Sequence, residues 1–182
     1  EHLPPGVKIK LSSNENPYGP SKKVREAMAG AFDMVCRYPF AEQGGIRQMI
    51  ADQEGVSPEQ ILVTVGSTEG LKITAIAYLL DGGEVVAADP TFEAMLYYAR
   101  NMGAKVNAAP VNGKMISDLE LMDRMTINGT KLVFLCNPNN PTGTIVAADK
   151  LMDFAYSVSR RTMLFSDEAY YDYITEPGDP SL

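Results

Sequence analysis

Short apolar runs alternate with amphipathic stretches between residues 61 and 166. Each run is five or six residues long, which is typical of a strand buried in a sheet. The stretches between the runs repeat apolar residues every three or four positions, as an amphipathic helix does. The pattern therefore predicts strands at residues 61–65, 84–88, 105–109, 131–136 and 162–166.

Predicted helices lie between these strands, and two more precede the first strand. Gly55 and Gly103 are placed to end the second and the fourth helix, since glycine readily adopts the left-handed conformation that closes a helix. Strands that alternate with helices indicate a three-layer α/β/α fold with a mostly parallel sheet. The helices are recognised by their apolar residues: Val24, Ala27, Met28 and Ala31 after Ser21; Ile46, Met49 and Ile50; Ile73, Ile76, Ala77 and Leu80; Phe92, Met95, Leu96 and Ala99; residues 119–125; and Leu151, Phe154, Ala155 and Val158.

The charge and the cysteine content exclude several classes of protein. The chain of 182 residues carries 16 Lys and Arg against 23 Asp and Glu, a formal charge of −7. This argues against nucleic-acid and membrane-surface partners, which need a basic face. Cys36 and Cys136 lack the spacing of a metal site or a disulfide framework, and both are predicted to be small buried residues. The apolar runs are too short to cross a bilayer, so the cytoplasm is the expected location.

Polar motifs directly follow the last two predicted strands. Asn-Pro-Asn-Asn-Pro-Thr-Gly (137–143) follows the fourth strand, and Asp-Glu-Ala-Tyr (167–170) follows the fifth. Because parallel strands end at the same edge of a sheet, Asn140, Asp167 and Tyr170 are expected to converge there. An amide donor, a carboxylate that needs a cation and a phenol suit a heterocycle with a ring nitrogen and a phenolic oxygen. Pyridoxal phosphate is such a ligand.

Two further positions belong to the same edge. The loop Gly-Ser-Thr-Glu-Gly (66–70) follows the first predicted strand and opens a helix, so Gly66, Ser67 and Thr68 are candidates to seat a phosphate. The alternative is an ordinary helix N-cap at Ser67 or Thr68. Phe92 is a candidate to lie flat on a heterocycle, and the alternative is that it begins the apolar face of its own helix.

Other catalytic patterns are incomplete in this sequence. Asp-Glu after an apolar strand could hold magnesium, but that reading needs a Gly-x-x-x-x-Gly-Lys-Ser/Thr loop. The only Gly-Lys pair, at 113–114, is followed by Met115 and has Ala108 where the first glycine belongs. His2 is the only histidine, so Ser-His and Cys-His nucleophiles are not expected, and no metal site is predicted.

Taken in order, these motifs resemble those of the fold-type-I pyridoxal-phosphate aminotransferases of class I and II, and most closely the histidinol-phosphate aminotransferases. The resemblance begins at Leu-Ser-Ser-Asn-Glu-Asn-Pro-Tyr-Gly-Pro (11–20), continues through Arg-Tyr-Pro (37–39) and Asp-Pro-Thr-Phe (89–92), and includes the loops above. It implies that residues 1–35 are an arm and a helix of a smaller domain. Residues 36–182 would then be the first part of the large domain that binds the cofactor.

The resemblance also implies a role for each candidate residue. Tyr38 would reach the cofactor phosphate of a neighbouring subunit, so a homodimer with shared active sites is implied, and Tyr18 would approach the substrate. The family often has Tyr at position 92, where Phe keeps the stacking ring and loses one hydroxyl. The residues implied in cofactor binding are Gly66, Ser67 and Thr68 for the phosphate, Phe92 for the ring face, Asp167 for the ring nitrogen, and Asn140 and Tyr170 for the phenolic oxygen.

The family's Schiff-base lysine has no counterpart in this sequence. In the family it stands in a Ser-x-x-Lys motif about one strand after Asp-Glu-Ala-Tyr, and the sequence ends at Leu182, before that point. Lys72, Lys131 and Lys150 do not match the motif. We therefore expect this chain to be the first part of a longer enzyme, and to be inactive alone.

The resemblance implies transfer of an amino group between an amino acid, of the histidinol-phosphate or aromatic type, and a 2-oxo acid. Two alternatives remain open at this point. One is a decarboxylase or lyase with the same cofactor, of the threonine-phosphate decarboxylase type. The other is a non-catalytic module that kept the fold, for which the missing lysine is the support.

Overall fold

The computed structural model describes residues 6, 9–175 and 182, apart from the side chains of 41–43. The chain divides into two compact units, Glu1–Val63 and Thr64–Leu182. His2 and part of the predicted N-terminal arm lie outside the described residues. The assignment of residues 1–35 to a smaller domain stays a prediction.

Among its described residues, the first unit contains two α-helices. α1 (Lys22–Gly30) follows Ser21, whose hydroxyl accepts a hydrogen bond from the Val24 N–H at 3.3 Å. α2 (Phe40–Glu54) ends at Gly55, which has a φ of 68° and closes the helix in the left-handed conformation. Both helices and the Gly55 cap are as predicted, because capping and periodicity are local signals. Single 3-10 turns follow the helices at Phe32–Met34 and Pro58–Gln60.

Parallel strands form the sheet of the second unit: β1 (Glu84–Asp89), β2 (Lys105–Pro110), β3 (Thr130–Cys136) and β4 (Met163–Asp167). Their order across the sheet is β2-β1-β3-β4, and every pairing is parallel. The register sets Cys136 opposite Asp167 at the carboxyl ends of β3 and β4. Four of the five predicted strands and the parallel sheet are confirmed.

Helices cover both faces of this sheet: α3 (Ser67–Leu79) and α4 (Ala94–Asn101) on one face, and α5 (Leu119–Met125) and α6 (Ala148–Ser159) on the other. Successive residues of a strand point to opposite faces. Phe134 is therefore buried against α3 and α4, and Val133 against α5 and α6. Within the described ranges, no helix is long and apolar enough to span a bilayer.

The prediction of a strand at residues 61–65 is wrong. A strand is defined by hydrogen bonds to a neighbouring strand, and the described strands pair among themselves. Ile61 has extended dihedral angles (φ −100°, ψ 123°), but no ladder forms there. Leu62 and Val65 are 63% and 89% exposed, so the apolar run is not buried either.

The buried face of α3 also differs from the prediction. Leu71, Ala75 and Leu79 are fully buried, whereas Ile76 and Leu80 of the predicted face are 42% and 62% exposed. Both sets have helical spacing, since this helix is apolar on more than one side. The position of α3 on the sheet decides which set enters the core.

Candidate active site

Five predicted residues meet in one hollow at the carboxyl edge of the sheet. The hollow is small, about 50 Å³. Parallel strands bring these residues together because the loops after β1, β3 and β4 all leave the sheet at this edge. The lining consists of Ser67, Phe92, Asn140, Asp167 and Tyr170, with Cys136 and Ala169.

Asp167 is the last residue of β4 and is 4% exposed. Its Oδ1 accepts a hydrogen bond from the Ala169 N–H at 3.3 Å. The ion pairs found among the described residues do not include Asp167. Burial raises the pKa of this carboxyl above its ordinary value, and the negative charge of Glu168 adds to the rise. A carboxylate held in this way favours a cationic ligand.

Replacing Asp167 with Asn should stabilise the ligand-free protein at neutral pH, because the amide keeps the shape and removes the charge. The fold raises the pKa of Asp167 above the unfolded value, which is about 4. The folded wild type therefore loses stability as the pH rises from about 4 through the raised pKa. The gain in stability from Asp167→Asn should be complete above this pH range and absent below it. Thermal unfolding of both proteins over this pH range measures the difference.

Asp153→Asn is the matched control, because Asp153 is an exposed aspartate on α6. This substitution removes the charge of a side chain that water already solvates. If the two Asn variants showed the same pH dependence of stability, the expectation for Asp167 would be contradicted.

Asn140 and Tyr170 present two polar groups at one point of the hollow. The Asn140 Nδ2 lies 3.4 Å from the Tyr170 Oη, which is a long hydrogen bond. Both residues are half-buried. An amide N–H and a phenol O–H at this separation can donate together to one acceptor oxygen of a ligand.

Hydrogen bonds of Asn137 hold both ends of the loop that carries Asn140. The Asn137 N–H donates to the Asp167 carbonyl oxygen at 3.0 Å, which continues the β3–β4 ladder. The Asn137 Oδ1 accepts from the Val146 N–H at 3.1 Å, just before α6. Asn140 is therefore held in place by its neighbours, with its amide beside the Tyr170 hydroxyl.

Phe92 has one side on the core and the other on the hollow. It packs against the core residues beneath α3 and α4, and it also lines the hollow. Phe92 lies two residues before the start of α4 and packs against the same core as Met95 and Leu96 of that helix, so the alternative in which it joins the apolar face is supported as well. The ring is placed to cover a flat ligand.

Cys136 lines the hollow, although it was predicted only as a small buried residue. It is 3% exposed, and its Sγ donates to the Pro138 carbonyl oxygen at 3.3 Å. Burial is the main cause that raises the pKa of its thiol to about 11, so the thiol is neutral at physiological pH. Its position opposite Asp167 at the end of a strand is the signal that could have identified it. Cys36 is exposed, contrary to prediction, because it lies in the turn between α1 and α2.

The start of α3 is not capped by a serine or threonine. The N-cap residue is Gly66, with a φ of 79°, so the alternative in which Ser67 or Thr68 caps the helix is wrong. Ser67 occupies the first helical position and lines the hollow, whereas Gly66 and Thr68 do not line it. The Glu69 Oε2 accepts from the Val65 N–H at 2.6 Å and orders the turn that leads into the helix.

Tyr18 and Tyr38 belong to the first unit, in which they are 89% and 85% exposed. The Tyr38 ring stacks on Phe40, with 5.5 Å between the ring centroids. The roles that the resemblance implies for these two tyrosines stay predictions.

A larger hollow, about 550 Å³, lies beside the loop between β2 and α5. Its two lysines, Lys114 and Lys150, are accompanied by Asp118 and Glu120, so its charges balance. The smaller hollow remains the candidate site because a buried carboxylate and converging donors line it.

The chain matches the profile of the family "Aminotransferase class I and II" over residues 7–181. The chain belongs to this family. Among its relatives, the histidinol-phosphate aminotransferase of Bacillus cytotoxicus is 40% identical over 165 residues, which are 91% of this chain and 44% of that protein. The histidinol-phosphate aminotransferase of Moorella thermoacetica is 39% identical over 178 residues, 97% of this chain and 46% of that protein. The chain therefore spans less than half the length of these two relatives.

A solved member of the family has the same fold. The histidinol-phosphate aminotransferase from Sinorhizobium meliloti, in complex with pyridoxal-5'-phosphate, has a TM-score of 0.84 and 27% identity to this chain. The match covers 92% of this chain and 45% of that one. The predicted family and fold class are confirmed, and the predicted cofactor agrees with that structure.

Proposed function

We propose that this chain is the amino-terminal part of a pyridoxal-phosphate-dependent aminotransferase. The observation that carries the proposal is the buried Asp167 carboxylate, without an ion-pair partner among the described residues, in one hollow with the Asn140 and Tyr170 donors. A protonated pyridine nitrogen is the cation that this carboxylate lacks. A phenolic oxygen on the same ring is an acceptor for the two donors. Membership of the family supports this assignment.

The residues of the hollow fit the cofactor group by group. Asp167 holds the proton on the ring nitrogen, and Phe92 covers one face of the ring. Asn140 and Tyr170 donate to the phenolic oxygen. Ser67 and the first amides of α3 donate to the phosphate, which the helix N-terminus also attracts. When bound, the cofactor withdraws electrons from the α-carbon of the substrate.

The lysine of the reaction is proposed to come from a part of the enzyme outside this sequence. Among the described residues, the lining of the hollow contains no lysine. The relatives are more than twice as long as the segment they share with this chain. Expressed alone, the 182-residue chain should therefore not transfer amino groups.

We further propose histidinol phosphate as the first candidate for the amino donor, and aromatic amino acids as the next. The names of the two relatives support this order. The proposed enzyme is a homodimer in which Tyr38 contacts the cofactor phosphate of a second copy and Tyr18 approaches the substrate. Both tyrosines are exposed in the first unit, as such contacts require.

An amino-transfer assay of the natural gene product tests the function. The protein is loaded with pyridoxal phosphate and given histidinol phosphate and a 2-oxo acid. The new amino acid formed from the 2-oxo acid and the released carbon dioxide are both quantified. We expect stoichiometric amino transfer without carbon dioxide.

Two results would contradict the proposal. Release of carbon dioxide without amino transfer, with any of the candidate amino acids, would assign a decarboxylase. Binding of the cofactor without either reaction would favour a non-catalytic module.

A further inference from the structure

A buried polar bridge joins the two loops that carry Phe92 and Asn140. The Thr91 Oγ1 donates to the Asn139 Oδ1 at 2.8 Å, across 48 positions of sequence. Thr91 is 5% exposed and Asn139 is 3% exposed. The bridge forms because β1 and β3 are neighbours in the sheet, so the loops that follow them are neighbours as well.

The Asn139 side chain can adopt a single orientation in this bridge. Its Nδ2 lies 3.0 Å from the Pro90 carbonyl oxygen, which can only accept a hydrogen bond. The Oδ1 must therefore face the Thr91 hydroxyl. The second Nδ2 hydrogen is directed to the Thr142 Oγ1 at 2.9 Å. Both Nδ2 hydrogens and the Oδ1 of Asn139 therefore have a hydrogen-bond partner.

The backbone of Asn139 is also fixed. Its N–H donates to the Thr144 carbonyl oxygen at 2.9 Å, and its carbonyl oxygen accepts from the Gly143 N–H at 2.7 Å. The network continues from Thr142 to Thr144 at 2.8 Å, and from Thr144 to the Met115 carbonyl oxygen at 2.8 Å. A satisfied buried network of this kind selects one arrangement of the loops that it connects.

Each residue of the bridge directly precedes a residue of the hollow. Thr91 precedes Phe92, and Asn139 precedes Asn140, so the bridge sets the distance between an aromatic face and an amide donor. We propose that Thr91 and Asn139 are positioning residues for pyridoxal phosphate, a role that rests on the proposed function. They act through Phe92 and Asn140 and do not line the hollow themselves.

A purely structural role is the competing explanation, and a matched pair of variants separates the two. Thr91→Val removes the hydroxyl and keeps the shape of the side chain. Thr126→Val makes the same change in another threonine that is 5% exposed and donates one hydrogen bond of 2.8 Å, to the Met122 carbonyl oxygen. Thr126 follows α5 and precedes β3, so it lies toward the amino edge of the sheet, opposite the hollow.

The experiment uses the natural gene product and measures pyridoxal-phosphate affinity, the circular dichroism of the bound cofactor, and thermal stability. Thr91→Val should raise the cofactor dissociation constant by roughly fivefold or more. It should also change the dichroism of the bound cofactor, because the ring environment set by Phe92 shifts. Thr126→Val should leave affinity and dichroism at wild-type values, because its hydroxyl bond lies at the end of α5, away from the hollow. Thr91→Ser, which keeps the hydroxyl, should restore affinity and dichroism.

The opposite pattern would overturn the inference. If Thr91→Val bound the cofactor with wild-type affinity and dichroism, or if Thr126→Val weakened binding equally, the bridge would be structural only. Failure of the proposed function is distinguishable, because it is read from the wild-type protein alone: either the wild type binds no pyridoxal phosphate, or it binds the cofactor without transferring amino groups.

Discussion

Replacing Asp167 with Ala in the natural gene product should lower turnover at least about 10²-fold, with weak cofactor binding retained. Asp167 is buried at the end of β4 and lines the hollow. In the proposed enzyme its charge keeps the ring nitrogen protonated, and this proton makes the ring an effective acceptor of electrons. Phe92 and Ser67 do not depend on that charge, so they still hold the cofactor. The loss should therefore fall on kcat more than on KM.

Steady-state kinetics at saturating cofactor measure this effect, with two comparison variants. Asp167→Asn keeps the shape and removes the charge, so it should be about as slow as Asp167→Ala. Asp153→Ala, at an exposed position on α6, should leave turnover near the wild-type value. Wild-type turnover in the Asp167→Ala enzyme would show that Asp167 is not the partner of the ring nitrogen.

Replacing Phe134 with Ala should destabilise the second unit by about 3–5 kcal/mol. Phe134 lies in the middle of β3 and is fully buried, with its ring centroid 6.0 Å from that of Phe165 in β4. Truncation of the Phe134 ring leaves a cavity beneath α3 and α4, because buried side chains of the sheet and of both helices surround the ring. Since a domain is stable by only about 5–15 kcal/mol, this is a large share of its free energy of unfolding.

Denaturant unfolding of the natural gene product measures the change, and Tyr97→Ala is the control. Tyr97 is an aromatic residue of α4 that is 61% exposed, so its truncation should cost within about 0.5 kcal/mol. A shift for Phe134→Ala no larger than that for Tyr97→Ala would mean that Phe134 is not a central contact of this core.

Much of the element order could be predicted from the sequence because the signals are local. α5 occupies the predicted residues 119–125, and Ser21 and Gly55 bound helices where their side-chain chemistry indicates. The parallel sheet followed from the alternation of strands and helices. Local signals did not decide pairing or burial: residues 61–65 form no strand, and α3 buries a different face from the one predicted.

The same distinction holds for the candidate site. The sequence by itself determined that Asn140, Asp167 and Tyr170 lie at one edge, because each motif directly follows a strand and parallel strands end together. Only the tertiary structure decided that Thr91 contacts Asn139. That contact depends on β1 lying beside β3 in the sheet. The order of strands across a sheet results from packing between segments that are distant in the sequence, so a local pattern of residues does not predict it.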